Sequence, residues 1–359
     1  MTADPLIDVV VAVHTTERPV ERAVTSALID PTLPVRVTVV AHGLSADAFK
    51  SRLSAVSDAR LRIIEHHDGI ASPAGPMNAG MLAATAPYVT VIGSDDHYDS
   101  GALATALARA KDGANIVILP IRRDDGARIP TPLPRWRRTR RLDPARDRLF
   151  TRTAPLALVD RGLMLTRGAP FTEGLASGED LAISTRLWAS GARIDYDPSA
   201  PAYVIGHDSA DRVTSVPRPL AEELKAVTLL LGDPVVRAYP LAARRALAVK
   251  LARVHLFGAV HRRSEAQPRP GERDALAALA RDLEAFAPGF GVALSRAEHR
   301  VIDGLADGIS WQAVVALDHA RESGPWRDRV LSTRIRDSLR SDAVLRRYIR
   351  YRLEPGPLS

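Results

Sequence analysis

The chain is expected to be an α/β protein followed by an α-helical C-terminal region. Three observations carry this expectation. Over the first 110 residues, short β-rich apolar runs alternate with stretches of helical spacing. One such run, Tyr88 to Ile92, ends in Gly93 and is followed at once by the adjacent carboxylates Asp95 and Asp96. Beyond residue 217, apolar residues recur at helical spacing almost to the C-terminus. Strands separated by helices imply a parallel sheet with helices packed on its faces.

The elements follow in order. Ile7 to Val13 reads as a strand buried on both faces, because apolar residues run through it with little alternation. Val20 to Leu28 places Val20, Ala23, Val24, Ala27 and Leu28 on one helical face. Val35 to Ala41 is a second buried strand, Ala46 to Val56 a helix and Leu61 to Glu65 a third strand. Pro76 to Ala84 is a short helix leading into the strand Tyr88 to Ile92. Residues 122–148 are rich in Arg and Pro, with R-W-R-R-T-R-R at 135–141, and predict a long mobile or substrate-facing loop. Helices are expected over 220–231, 240–262, 272–286, 295–306, 310–321 and 325–352. A change of character near Val216 to Pro219 divides the chain into residues 1–217 and 218–359.

Composition bounds the function. With 359 residues the chain can bury a sizeable core, and 46% apolar content is ordinary for a globular protein. The absence of cysteine excludes disulfides, thiolate metal sites and cysteine nucleophiles. No apolar run has the length of a membrane span and the N-terminus lacks a signal pattern, so a cytoplasmic location is expected. The net charge of +7 is carried almost wholly by arginine, since Lys50, Lys111, Lys225 and Lys250 are the only lysines. That excess points to an anionic partner or to a coding bias toward arginine.

Five segments hold candidate chemistry. A strand ending at Asp95 and Asp96 sets two charges at its C-terminal edge, where open α/β sheets bind ligands. Two such carboxylates suit a hard divalent cation that also holds phosphate oxygens; the alternative is an acidic turn before the next helix. Thr15, Thr16 and Glu17 follow the first strand and suit either a base or ribose contact or a helix cap. Asp68, Gly69 and the loop to Pro76 run into a helix carrying Asn78, which suits either a ligand contact or a turn. Glu179 and Asp180 open a helix after Gly178, as caps or as a general base with its neighbour. His207 follows the apolar run Ala202 to Ile205, as a metal ligand or a structural histidine.

Taken together, these segments resemble the family 2 glycosyltransferases. The family opening V-S-V-I-I-P-T-Y-N-R-P aligns with Val9 to Pro19, keeping Thr15, Arg18 and Pro19. Ser26-Ala27-Leu28 resembles the family S-L-L, Asn78-Ala79-Gly80 its N-x-G, and Gly93-Ser94-Asp95-Asp96 its D-S-D-D. The fullest match is F-x-E-G-x-x-x-G-E-D at 171–180, followed by Arg186-Leu187 and Gly191. The likeness covers about residues 5–215.

The resemblance implies a GT-A fold, a Rossmann-like mixed sheet flanked by helices, and inverting transfer of a sugar from a nucleotide donor, a UDP-sugar by expectation. It implies Mn2+ or Mg2+ held by Asp95, Asp96 and His207. Asp180 would be the base, with Glu179 orienting the base or the acceptor, and Thr15, Glu17, His42, Asp68, Asn78 and Asp95 would form the donor set. Several positions depart from the family pattern: His14, Thr16, Met77 and Gly93 replace its Pro, Tyr, Arg and Asp, and A-H-G-L at 41–44 replaces D-D-G-S. His42 therefore stands where a base-reading carboxylate is usual.

The acceptor is expected to be an anionic cell-wall or surface glycan, a polyol-phosphate polymer or a lipid-linked precursor, met by Arg137, Arg138, Arg140 and Arg141. The helical region would cover the acceptor, form a homo-oligomer or touch a membrane surface. Two other classes compete. Nucleotidyl transfer would want a Gly-rich loop after the first strand, where the chain has H-T-T-E-R-P. Nucleic-acid binding would use the basic helical region, where residues 294–310 resemble half of a helix-turn-helix.

Overall fold

The computed structural model describes residues 4–56, 58–168, 170–206, 218–265, 267–340 and 342–353. Its strands are β1 (Ile7–Val13), β2 (Val35–His42), β3 (Leu61–His66), β4 (Tyr88–Gly93), β5 (His97–Tyr98), β6 (Ile116–Ile118), β7 (Ile121–Arg123), β8 (Arg128–Ile129), β9 (Ala157–Asp160), β10 (Ile194–Tyr196) and β11 (Tyr203–Ile205). The main sheet has the order β10-β6-β9-β4-β1-β2-β3, and a smaller sheet the order β5-β11-β7-β8. In the main sheet β9 alone runs antiparallel to both its neighbours, while the remaining pairs are parallel. This is the mixed α/β sheet with a helical C-terminal region that the sequence implies.

Burial on both faces explains the apolar runs. Val10 and Val40 belong to one apolar cluster, whereas Val9, Val11, Val37 and Val39 belong to the other on the opposite face. Asp8 is the exception inside β1. It is fully buried, and its carboxylate accepts from Arg36 Nε and Nη2 at 2.7 and 2.8 Å and from the N–H groups of Thr85 and Ala86 at 2.7 and 2.8 Å. The helix Ala74–Ala83 crosses this sheet closely at Gly80, where a Cβ would lie 2.2 Å from Val10 Cγ1.

The helices after residue 217 share a core with the sheet. Leu224, Leu247, Leu283 and Val314 lie in the same apolar cluster as Val10 and Val91. The change of character near residue 217 therefore marks a change of secondary structure within one continuous core.

Three expectations change. The helix expected over 46–56 is a single turn, Asp47–Lys50, followed by a 3-10 turn, Arg52–Val56. Ser54 donates to the Ser51 carbonyl at 2.5 Å, a local bond that competes with a continuous helix. The helix expected over 325–352 is broken into Trp326–Val330, a 3-10 turn Ile335–Leu339 and Val344–Leu353. The break falls where the Leu331 carbonyl accepts from the Arg296 N–H at 2.9 Å, capping another helix. The segment 131–148, part of the stretch 122–148 expected to be a mobile or substrate-facing loop, is pinned. Buried Asp147 accepts from the Arg135 N–H, Nε and Nη2 at 2.7–2.9 Å and from the Asp143 N–H at 2.8 Å.

Candidate functional site

Because β4, β1, β2 and β3 are parallel neighbours, their C-terminal ends share one edge. Asp95, Thr15, His42 and Asp68 follow those ends in that order. From β1 the chain first builds outward through β2 and β3, then returns to place β4 on the other side. Such a reversal opens a crevice at the strand ends. Asp95 and Arg18 meet across it, with Nη1 and Oδ1 3.1 Å apart.

The two adjacent carboxylates are unlike. Asp96 accepts from the Tyr203 hydroxyl on Oδ2 and from the Gly206 N–H on Oδ1 at 2.9 Å. The same Tyr203 hydroxyl accepts from the Gly93 N–H at 2.9 Å. Burial pushes the Asp96 carboxyl above its ordinary range, against the Tyr203 hydrogen bond, and the charge of Asp95 adds to the rise. Asp95 keeps its carboxylate toward Arg18, while its carbonyl accepts from Arg22 Nη2. Gly206 is required here, since a Cβ would lie 2.0 Å from the Asp95 carbonyl oxygen. His207, expected as a metal ligand, lies outside the described residues.

On the β2–β3 side, Asp68 bridges two imidazoles. His42 Nε2 lies 2.7 Å from Oδ1 and His66 Nε2 3.1 Å from Oδ2. The Ile70 N–H also donates to Oδ1 at 2.9 Å. The His42 hydrogen bond, followed by that of Ile70, holds the Asp68 carboxyl well below the usual carboxylate range. Thr15 accepts from the Glu17 N–H at 3.3 Å, a local turn bond, and Glu17 itself is exposed.

Asn78, expected in the donor set, is reassigned. Its Nδ2 donates to the Phe171 carbonyl at 3.0 Å and to Glu173 at 2.8 Å, and its Oδ1 accepts from the Phe171 N–H at 2.8 Å. The buried amide thus clamps segment 171–173 to the helix Ala74–Ala83. The same loop runs on to Glu179 and Asp180, and the helix Leu181–Trp188 follows. Asp180 occupies the N-cap position without a side-chain cap hydrogen bond, so plain capping does not describe it.

Asp180 has a charged neighbour that the sequence reading missed. Lys250, on the helix Leu241–Leu251, is 4% exposed, and its Nζ has no hydrogen-bond partner among the described residues. Burial, then the charge of Glu179, raises the Asp180 carboxyl, and Lys250 opposes the rise. Burial lowers the Lys250 ammonium, and Asp180 opposes that. His255 lies near the same charge; burial first and Lys250 second push it down to about 3. A cavity of about 610 Å3 beside the loop is lined by Phe171, Leu175, Gly178, Ala226 and Leu229, with Arg186 and Asp233 among its polar groups. It reaches none of the strand-edge residues.

The arginine loop does not border the Asp95 edge along its whole length. It runs beside β10, with the Tyr196 N–H donating to the Thr139 carbonyl and the Leu142 N–H to the Ile194 carbonyl. Arg140 pairs with Asp112 at 2.5 Å, before β6 begins and so at the opposite end of the sheet from Asp95. That placement removes Arg140 from the expected acceptor set. The Arg141 N–H is held by Asp195 at 2.9 Å, Arg138 donates weakly to the Arg141 carbonyl at 3.4 Å, and Arg137 stacks on Trp136. Arg350, from the last helix, stacks on the same ring and donates to the Pro134 carbonyl at 2.9 Å.

Comparison with known proteins accords with this geometry. Residues 8–168 match the model of glycosyl transferase family 2. The likeness to that family thus lies in the part of the chain that carries β1 to β9. A curated relative, the succinoglycan biosynthesis protein ExoO of Rhizobium meliloti (strain 1021), is 31% identical over 225 residues, which are 58% of this chain and 63% of the relative. The chain thus spans less than two thirds of that protein's length. Residues 1–349 of TarS from S. aureus, solved with UDP-GlcNAc, superpose with a TM-score of 0.73 at 15% identity, covering 89% of this chain and 92% of the other. The same TarS fragment with UDP gives 0.66 over the same shares. At that identity the likeness concerns the fold, and it extends over the helical C-terminal region as well as the sheet. Among the described residues no helix is long and apolar enough to cross a membrane.

Proposed function

We propose that the protein is an inverting glycosyltransferase that moves a sugar from a nucleotide-sugar donor to a hydroxyl of a surface glycan. The observation that carries this reading is the crevice edge itself, where Asp95 and Arg18 meet between β4 and β1 and the His42–Asp68–His66 cluster closes the β2–β3 side. The pyrophosphate would lie toward Asp95 and Arg18, and the nucleoside toward Thr15, His42 and Asp68.

Transfer is a single displacement. The acceptor oxygen bonds to the anomeric carbon as the bond from that carbon to the diphosphate oxygen breaks. The nucleoside diphosphate leaves, and the acceptor proton passes to the Asp180 carboxylate. A carboxyl raised by burial is a better proton acceptor than an ordinary one once ionised. Asp95 is the described carboxylate suited to a divalent cation, with His207 as a partner by sequence position; Asp96 is occupied in holding Tyr203 and Gly206. A bound Mn2+ or Mg2+ would supply charge neutralisation at the leaving diphosphate.

The acceptor class draws support from the printed name of the succinoglycan relative and from the net charge of +7. The exposed Arg137, Arg138 and Arg141 would meet anionic groups of such a glycan, at the inner face of the membrane if the acceptor is lipid-linked. The test is a screen of UDP-, GDP- and dTDP-sugars that reads released nucleoside diphosphate with and without Mn2+. Asp95→Asn is expected to lose metal-dependent nucleotide binding. Asp180→Asn is expected to bind donor yet lose transfer by about 100-fold or more. Turnover of no nucleotide sugar by the wild type, with no nucleotide binding, would overturn the reading.

A further inference from the structure

We infer a second divalent-metal site in the helical C-terminal region, formed by His261, Asp318 and Glu322. His261 lies on the helix Phe257–Arg262, and Asp318 and Glu322 lie on the helix Trp311–Ser323, which packs against it. Residues four apart in a helix share a face, so both carboxylates can point at one spot. His261 Nδ1 lies 3.5 Å from Asp318 Oδ2 and 3.6 Å from Glu322 Oε2. The three potential ligand atoms fall within 4.8 Å of one another.

Two features separate this cluster from a chance gathering of surface charge. Asp318 is fully buried, yet its Oδ2 accepts no hydrogen bond among the described residues. An ionised carboxylate oxygen without a donor is costly in a protein interior. The second feature is Arg321. Its Nε donates to Asp318 Oδ1 at 2.8 Å and its Nη2 to Glu322 Oε1 at 2.9 Å. The guanidinium takes one oxygen from each carboxylate and leaves the other oxygen of each facing His261. Outer partners that orient ligands in this way are usual at metal centres. Arg321 is itself held over the Phe257 ring, 5.2 Å from its centroid.

The two distances from His261 suit a first-row transition ion. Bonds of about 2.0–2.2 Å at tetrahedral angles put ligand atoms about 3.3–3.6 Å apart. With His261 neutral, two carboxylates and one guanidinium leave one net negative charge, which favours a divalent cation. One nitrogen and two carboxylate oxygens suit Zn2+, and solvent would complete the shell on the exposed side. The ion would tie the two helices together and stabilise this region. This inference stands apart from the glycosyl-transfer reading, because none of its residues belongs to the crevice edge.

The test uses the full chain carrying Asp95→Asn, so that the strand-edge carboxylate does not contribute to metal uptake. Metal-stripped protein is titrated with Zn2+ by calorimetry and with Co2+ by visible absorption, and its Tm is measured with and without Zn2+. His261→Ala is the main variant, because that side chain is half exposed and its removal spares the core. Glu322→Gln is the second. The expected result is one Zn2+ site, a Co2+ absorption of a low-coordinate centre and a Zn2+-dependent rise in Tm. His261→Ala should weaken that site by about 100-fold or more and abolish the absorption, with Tm unchanged in the absence of metal. Identical Zn2+ isotherms and Tm responses for the parent and both variants would overturn the inference, and the cluster would then be an ion-pair network.

Discussion

Replacing Lys250 with Met should shift the pH dependence of transfer toward higher pH. Lys250 is buried beside Asp180 and its ammonium has no hydrogen-bond partner among the described residues, so its influence is chiefly electrostatic. In the proposed mechanism Asp180 serves as a base only when ionised. Burial and Glu179 already favour its protonated form, and Lys250 is the group that opposes them. An opposite charge close to a carboxyl lowers its pKa by about 1–3 units. Removing Lys250 should therefore raise the Asp180 pKa by about 1–3 units. On the acid limb each unit reduces the ionised fraction tenfold, equivalent to about 1.4 kcal/mol. The limb of the kcat profile should move up by that amount, with activity recovered at high pH. Met fills a similar volume, so packing loss should be small. The assay is release of nucleoside diphosphate under saturating donor across the pH range, with Tm recorded for each variant. Lys250→Arg should keep the wild-type limb, and Glu179→Gln should move it the other way. Coincident profiles for wild type and Lys250→Met would refute the coupling. A pH-independent loss of activity with a lowered Tm would assign Lys250 to packing instead.

Three further outcomes are expected. Asp8→Asn should destabilise the fold by about 2–4 kcal/mol in chemical denaturation, somewhat below a fully buried pair because Arg36 is partly exposed. Its hydrogen bonds lower the folded-state pKa of Asp8 despite burial, so the wild type's advantage should be full above about pH 4 and fade as pH falls through the lowered value. Tyr203→Phe removes the hydroxyl shared by Asp96 and the Gly93 N–H, and should cost about 1–3 kcal/mol by thermal denaturation and weaken nucleoside diphosphate binding in calorimetry. His42→Asp should place two carboxylates against each other at Asp68 and change the preference among UDP, GDP and dTDP; an unchanged preference would remove this cluster from nucleoside recognition.

Much of the sheet was legible because burial on both faces writes a run of apolar residues into β1, β2 and β4. The carboxylate pair stood out as two charges at the end of an apolar strand, and the F-x-E-G-x-x-x-G-E-D segment through its likeness to a family motif. Roles that depend on distant partners were not legible. Lys250 lies 70 residues beyond Asp180, and the sequence marks it only as a basic residue in the last turn of a helix. Asn78 could be marked as polar within an apolar helix, but only the fold shows that Phe171 and Glu173 occupy its amide. The arginines at 135–141 read as a basic patch, yet Arg135 is a buried-carboxylate partner and Arg140 a bridge to the far end of the sheet.

The clearest case is the Asp95–Asp96 pair, whose members are equivalent as letters. The difference between them arises one step later in the chain. After Asp96 the backbone enters β5, and β5 pairs antiparallel with β11, which brings Tyr203 and Gly206 back to the turn. Their hydroxyl and N–H take both oxygens of Asp96, while Asp95, one residue earlier, is left on the crevice side with Arg18. A strand pairing more than 100 residues apart in sequence thus separates the carboxylate that builds the turn from the one that faces Arg18. That separation requires Gly206 at the contact, where any side chain would strike the Asp95 carbonyl.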